Sequence, residues 1–275
     1  MTYATLMVHL ELGCSNAGLL KIAGDLAEHF HAGVVGIAAC QPLEMLYADG
    51  YISGAAFELD RAQTAEELKA AEAEFHAALH GRIRRTEWRC AEVFAVLSGY
   101  VVKQARSADL ILTGIAPGHA FDSSRAVNTG DLVMQAGRPV LVVPTGATSL
   151  KPDRVLIAWK DTSATRRAVA DALPLLKRAR SVSVVELVSA EKLPAAAKHV
   201  GDVVAWLEHH DINAEGTASL STGDDAAGLD AFARDKGIDI VVAGAYGHSR
   251  LREWVLGGVT RDLLLNPNRC SFLSH

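Results

Sequence analysis

Short apolar runs alternate with segments of helical periodicity along the chain. Ile238–Ala243 is apolar at all but one position, which is typical of a strand buried on both faces of a sheet. The segment 162–179 places apolar residues such as Leu173 and Leu176 at helical intervals, as an amphipathic helix does. This alternation predicts an α/β fold in which parallel strands are joined by right-handed crossovers, with helices on both faces of the sheet.

The same pattern can be followed through both halves of the sequence. Thr162 or Ser163 is expected to cap the first helix of the second half, and Asp224 or Asp225 its third helix. The predicted strands of the first half are Thr5–Leu10, Val34–Ala39, Trp88–Val93, Leu110–Thr113 and Pro139–Val143. Those of the second half are Arg154–Trp159, Val182–Leu187, Ala214–Ser219, Ile238–Ala243 and Cys270–Leu273, and its later helices are Ala195–His210, a helix ending near Gly237, and Arg250–Leu265.

An internal repeat explains why the two halves share one pattern. ADLILTG, which starts at Ala108, matches IDIVVAG, which starts at Ile238, with an offset of 130 residues (238 − 108). TGDLVMQAGRPVLVVP matches TRDLLLNPNRCSFLSH with an offset of 131 (260 − 129). MVHLELG, from Met7, corresponds to LIAWKDT, from Leu156. The sequence therefore predicts two tandem doubly wound parallel-sheet domains.

The predicted domains are residues 1–145 and 151–275, joined by a linker rich in Gly, Ser, Thr and Pro. The first domain carries about 19 extra residues around positions 41–60. This insertion is apolar, so we expect it to cover a groove, the other half or another subunit. Its apolar residues are Leu43, Met45, Leu46, Tyr47, Tyr51, Ile52 and Phe57.

Composition narrows the range of partners. A net charge of −5 and a sequence pI near 6.1 provide no basic stripe for a duplex, so no nucleic acid is expected. No apolar run is long enough to span a bilayer, and the N-terminal segment lacks the basic start of a signal peptide. Four scattered cysteines do not form a disulfide framework. The expected location is the cytoplasm.

The segment that follows the strand at Ile238–Ala243 is the best candidate for ligand chemistry. In doubly wound sheets ligands bind beyond the carboxyl ends of the strands. Glycines let backbone amides approach a phosphate, and a helix N-terminus adds further donors. The alternative is that these glycines only turn the chain and let helices pack. The loop residues are Gly244, Gly247, His248, Gly257, Gly258, Val259 and Thr260.

GAYGHSRLREWVLGGVT resembles the Gly-x2-Gly-x9-Gly-(Ser/Thr) signature of the universal stress protein family, through Gly244, Gly247 and Gly257. The repeat is similar to the family's tandem members. The resemblance implies the universal stress protein fold, which is of the adenine nucleotide alpha hydrolase-like kind. It also implies ATP, with magnesium, as a ligand of the second half.

The resemblance assigns roles to further residues. In ATP-binding members, the residues that match Ala158 and Leu187 line the adenine, and those that match Gly257 to Thr260 hold the phosphates. Two positions depart from that pattern. Gly258 stands where those members have Ser or Thr, and Lys160 stands where they have an Asp near the adenosine. A lysine cannot accept a ribose hydroxyl hydrogen bond, but it can reach a phosphate.

The first half lacks the loop glycines. Ala126-Val127-Asn128-Thr129 occupies the place of Gly257-Gly258-Val259-Thr260. We therefore expect no nucleotide there, and the first half would act as a structural partner. The family resemblance also implies a homodimer or another homo-oligomer.

One helix carries possible metal ligands at a spacing of four residues. Glu72, His76 and His80 lie at the edge of an apolar face, so a solvated edge is the favoured interpretation and a metal site the less favoured one. His248 in the glycine loop either contacts a phosphate or faces solvent.

Three functional hypotheses follow. The first is a non-catalytic stress-response regulator or sensor that binds ATP or a related nucleotide in the second half. The second is a nucleotide-independent interaction or ligand-binding protein that uses the apolar insertion at 41–60. A slow ATPase ranks last, because no residue stands out as a water-activating base.

Overall fold

A computed structural model describes the chain at residues 2–42, 54–115, 124–245, 258–265 and 268–275. Within these residues strands and helices alternate as predicted. The chain divides into two compact units. The first unit contains Thr2–Arg138 and Thr145–Ser149, and the second contains Pro139–Pro144 and Leu150–His275.

The first unit contains four parallel strands in the order β3-β2-β1-β4. β1 and β4 are almost entirely buried, whereas β3 at the edge is largely exposed. The strands are β1 (Thr5–His9), β2 (Gly33–Cys40), β3 (Thr86–Glu92) and β4 (Leu110–Gly114). The helices are α1 (Ala17–Phe30), α2 (Gly54–Leu79), α3 (Leu97–Gln104, continued by a 3-10 turn at Ala105–Ser107) and α4 (Thr129–Gln135).

The second unit contains six strands in the order β5-β10-β9-β6-β7-β8. The strands are β5 (Val140–Val143), β6 (Arg154–Ala158), β7 (Ser181–Val188), β8 (Ala214–Leu220), β9 (Ile240–Gly244) and β10 (Cys270–Ser274). The helices are α5 (Ser163–Leu176), α6 (Leu193–Glu208, preceded by a 3-10 turn at Ala190–Lys192), α7 (Asp225–Asp235) and α8 (Gly258–Leu265).

The strand β5 differs from the other strands of the second unit in the direction of its pairing. It pairs antiparallel with β10, through Val142 opposite Ser271, while the other pairings of the second unit are parallel. This pairing places β5 in the second unit, although its position in the repeat assigned it to the first domain. An apolar run alone does not specify the direction of its partner strand.

The helix caps were predicted correctly. Thr162 Oγ1 accepts a hydrogen bond from the Thr165 amide at 3.2 Å, and Asp224 Oδ1 accepts one from the Ala227 amide at 3.0 Å. Each cap satisfies an amide that has no partner within its own helix.

The repeat is also visible in equivalent hydrogen bonds. The amide of Asp109 donates to Thr5 O at 2.9 Å, and the amide of Asp239 donates to Arg154 O at 2.9 Å. At the other end of the same strands, the amide of Leu10 donates to Ile37 O and that of Trp159 to Val185 O. These bonds align the two halves residue by residue.

The insertion is helical from Gly54 onward. Gly54–Asp60 forms the first turns of α2, and Phe57 there is half-buried. The remaining apolar residues of the insertion fall between positions 43 and 53, outside the described residues. The four cysteines are unpaired: Cys40 and Cys270 are buried, and Cys14 and Cys90 are exposed.

Candidate functional site

Three of the predicted site residues of the second unit, Ala158, Leu187 and Gly244, lie at or near the carboxyl ends of neighbouring strands. Ala158 ends β6 and aligns with Val185 of β7 and Ala243 of β9. Gly244 is the last residue of β9. This is the edge of a doubly wound sheet at which ligands bind.

Ala158 and Leu187 lie on the same side of the sheet. Leu187 is two residues beyond Val185, the partner of Ala158, and alternate residues of a strand share a face. That side is covered by α7, because a Cβ at Gly228 would lie 3.0 Å from Leu187 Cδ1. Ala158 is buried and Leu187 is half-buried, so both present apolar surface near the edge.

The helix α8 begins on this same side. A small cavity of about 10 Å³, with room for about one water molecule, brings Val259 of α8 together with residues of α7 and with Val241 of β9. Val241 aligns with Leu156, which shares its face with Ala158. The cavity is lined by Ala226, Leu229, Asp230, Val241, Val259, Asp262, Leu263 and Arg269.

The first residues of α8 differ in exposure. Gly258 is exposed, and a Cβ there would meet no atom of the described residues within 4 Å. Val259 is half-buried and Thr260 is buried. The other predicted loop residues, Gly247, His248 and Gly257, lie outside the described residues.

Gly244 has a packing role that its sequence context did not show. A Cβ on Gly244 would lie 2.3 Å from the backbone nitrogen of Thr165 and 2.6 Å from the carbonyl carbon of Ala164. The start of α5 therefore rests directly on the end of β9, and only a glycine permits that distance.

Charged groups gather beyond the end of β6. Lys160 is exposed, and Asp161 forms an ion pair with Arg166. Glu186 of β7 is buried, and its carboxylate lies 3.6 Å from His199 Nδ1. Burial raises the pKa of Glu186, against the opposing effect of His199. Sequence reasoning missed this pair, although a glutamate within the apolar run SVVELV was a signal.

Comparisons with solved structures identify the architecture. A universal stress protein from Archaeoglobus fulgidus DSM 4304 matches with a TM-score of 0.73 at 14% identity, over 98% of this chain and 95% of that chain. The chain has the universal stress protein fold in two tandem copies. A functionally unknown protein from Pseudomonas aeruginosa PAO1 matches with a TM-score of 0.62 at 14% identity, over 99% of this chain and 92% of that chain.

Comparisons by sequence found no match. No family model matches the chain, and no curated protein matches it by sequence. In the parts of the chain that the structure describes, no helix combines the length and apolar character that a membrane crossing requires.

The first copy of the universal stress protein fold has different chemistry at the equivalent edge. His9 occupies the place of Ala158, as the equivalent hydrogen bonds of Leu10 and Trp159 show. Its imidazole is buried, with Nδ1 3.2 Å from Thr113 Oγ1, and burial lowers its pKa to about 4. A neutral imidazole therefore stands where the second copy presents a methyl group.

The start of α4 is closed by its own side chains. Asn128 Oδ1 accepts a hydrogen bond from the Asp131 amide at 3.0 Å, and Val127 is buried. In a universal stress protein fold this is the counterpart of the loop at Gly258–Thr260. The amide at Asp131 is already satisfied without a ligand.

The possible metal ligands lie on a solvated face of α2 and just beyond its end, where His80 follows Leu79. His76 Nε2 is 3.8 Å from Glu72 Oε1, both side chains are about half exposed, and His80 is exposed. Among the described residues, no group of three or more His, Cys, Asp or Glu side chains is placed to hold a metal ion.

Proposed function

We propose that the second unit binds an adenine nucleotide, with ATP and magnesium as the ligand, and that the chain acts as a non-catalytic regulator or sensor in a stress response. One observation supports this most directly. Ala158 and Leu187 lie near the carboxyl ends of their strands, and the first residues of α8 lie on the same side of the sheet. The motif GAYGHSRLREWVLGGVT begins at the same edge.

The proposal gives each group a physical task. Ala158 and Leu187 offer apolar surface to the base. The amides at Gly258 to Thr260 and the positive end of the helix dipole of α8 would hold phosphate oxygens, and magnesium would arrive with the phosphates. Lys160 supplies a cation within reach of that edge. Hydrolysis would require a base beside the γ-phosphate, and the proposal assigns none.

Isothermal titration with ATP, ADP and AMP, each with magnesium, tests the proposal. Gly258→Asp places a carboxylate where a phosphate would bind. An aspartate is favourable near a helix N-terminus, and its Cβ would meet no atom of the described residues within 4 Å, so folding should be unaffected. We expect this variant to lose ATP binding.

Two control variants accompany that titration. Gly258→Ala should retain ATP binding, and Asn128→Asp at the equivalent helix of the first unit should leave it unchanged. The absence of heat at millimolar ATP with the unaltered chain would refute nucleotide binding, as would an unchanged affinity in Gly258→Asp.

A second candidate function is nucleotide-independent interaction through the apolar insertion at 41–60. The exposed side chains of Leu59, Phe94 and Val96 favour it. Gln41 Nε2 donates to Ala95 O at 2.7 Å, so the insertion begins beside two of them. Replacing residues 43–53 by a short Gly-Ser linker should reduce self-association on a sizing column. An unchanged elution volume would count against this function and against a homodimer that forms there.

A further inference from the structure

The helix α2 extends further beyond the sheet than its counterpart α6. It contains 26 residues, whereas α6 contains 16. At a rise of about 1.5 Å per residue, the difference amounts to about 15 Å. Because crossover helices run antiparallel to the strands, the first turns of a longer helix project past the carboxyl edge. Asp60 belongs to these turns, and Thr64 and Glu67 follow it on the same helix.

These three residues hold one arginine. Arg125 Nη2 donates to Asp60 Oδ1 at 3.1 Å and to Thr64 Oγ1 at 3.2 Å, and Arg125 Nε lies 3.1 Å from Glu67 Oε2. The side chain of Arg125 is only 15% exposed. The guanidinium is thus surrounded by oxygen atoms on two of its edges.

Arg125 lies in the first unit next to the segment that corresponds to the glycine loop of the second unit. It precedes Ala126–Thr129, the counterpart of Gly257–Thr260. The amide of Gln41, at the end of β2, donates to Ser124 O at 2.8 Å and ties this segment to the sheet edge. At the same edge, Asn128 caps α4. The guanidinium of Arg125, which is the group there that could attract an anion, is met by protein oxygens.

We propose that Arg125 is an anion site for a phosphate group, and that the carboxylates of Asp60 and Glu67 occupy it from within the chain. Two carboxylates present oxygens to a guanidinium much as a phosphate does. They also bring more negative charge than one guanidinium balances.

In this arrangement α2 blocks the anion site at Arg125. While it stays in place, the first unit takes no phosphate ligand. Its displacement would leave a half-buried guanidinium without its oxygen partners, and an external phosphate would then replace them. The site is separate from the nucleotide site proposed in the second unit and does not depend on it.

Paired amide substitutions test the site. Asp60→Asn together with Glu67→Gln keeps the shape of both side chains but removes their charge. The experiment uses the full chain carrying Gly258→Asp, so that a phosphate loop in the second unit contributes nothing. Inorganic phosphate and ATP are titrated separately by calorimetry, which distinguishes a free phosphate from a nucleotide.

We expect the paired variant to bind inorganic phosphate at least about tenfold more tightly than the same chain with Asp60 and Glu67 intact. Adding Arg125→Met should abolish the gain. A folded paired variant with no gain would overturn the proposal, and so would a gain that survives Arg125→Met. If the paired variant does not fold, Glu67→Gln alone decides: a gain that depends on Arg125 supports the site, and no gain refutes it.

Discussion

A Cβ at Gly244 would approach the backbone nitrogen of Thr165 to 2.3 Å, so the end of β9 and the start of α5 are in direct backbone contact. Gly244→Ala must therefore separate a strand from a helix. We expect a loss of about 1–3 kcal/mol in the free energy of unfolding, measured by denaturant titration.

Gly201→Ala is the matched control for that substitution. Gly201 lies inside α6, and a Cβ there meets no atom within 4 Å. Alanine is the better helix former, so stability should rise by about 0.5–1 kcal/mol. Equal effects at both positions would contradict the backbone contact at Gly244.

Glu186 should make the stability of the second unit depend on pH. Burial raises its pKa in the folded chain, so its favourable contribution is present below the unfolded value and disappears as pH rises through the folded value. Glu186→Gln removes that loss. The difference in unfolding free energy between variant and parent should therefore shift in favour of the variant as the pH rises above 4.5, the ordinary pKa of a glutamate.

Other ionisable groups lie near Glu186 and also influence its pKa. His199 faces it from α6, and Lys160 and Asp161 face it from the end of β6. Glu208→Gln at an exposed position of α6 serves as the control and should show no such pH-dependent difference. A Glu186→Gln curve parallel to that of the parent across this range would refute the assignment.

Two equivalent aspartates should differ in their importance. Asp109 Oδ2 accepts hydrogen bonds from the amides of Ala4 and Thr5, at 2.8 and 2.9 Å, whereas Asp239 Oδ2 accepts one from Arg154 at 2.8 Å. We expect Asp109→Asn to cost about 1 kcal/mol and Asp239→Asn less, by denaturant unfolding. A larger loss from Asp239→Asn would reverse this ranking.

Lys160 provides a test of where phosphates lie. If it contacts the phosphate chain, Lys160→Met should weaken ATP binding by about tenfold. AMP binding should weaken by less, because AMP has a single phosphate group for the lysine to contact. Lys236→Met, at the opposite end of β9, is the control with unchanged affinity for both. Equal losses for ATP and AMP would place Lys160 away from the terminal phosphates.

Much of the fold could be predicted because local signals and the repeat agree. Apolar runs identified the strands, and Thr162 and Asp224 were visible as caps before their helices. The antiparallel pairing of β5 could not be predicted, since Val140–Val143 is equally suited to either direction. The start of α2 at Gly54 was hidden by the apolar insertion.

The sequence could predict where in the fold the candidate site lies, but not which contacts surround it. Strand ends and glycines placed it, and the register then put Ala158 and Leu187 on one side of the sheet. The backbone contact at Gly244 could not be predicted, because it depends on how α5 packs. The ion pairs of Arg125 join residues 65 and 58 positions apart, and no local pattern indicates such partners.

The strand β5 has a consequence for how this gene product can be divided. Pro139–Pro144 belongs to the second unit, Thr145–Ser149 to the first, and Leu150 onward to the second again. A single cut after 138 detaches residues 145–149 from the first unit, and a single cut after 149 detaches β5 from the second. The two units therefore alternate along the chain between residues 139 and 150, and no single cut yields both of them whole.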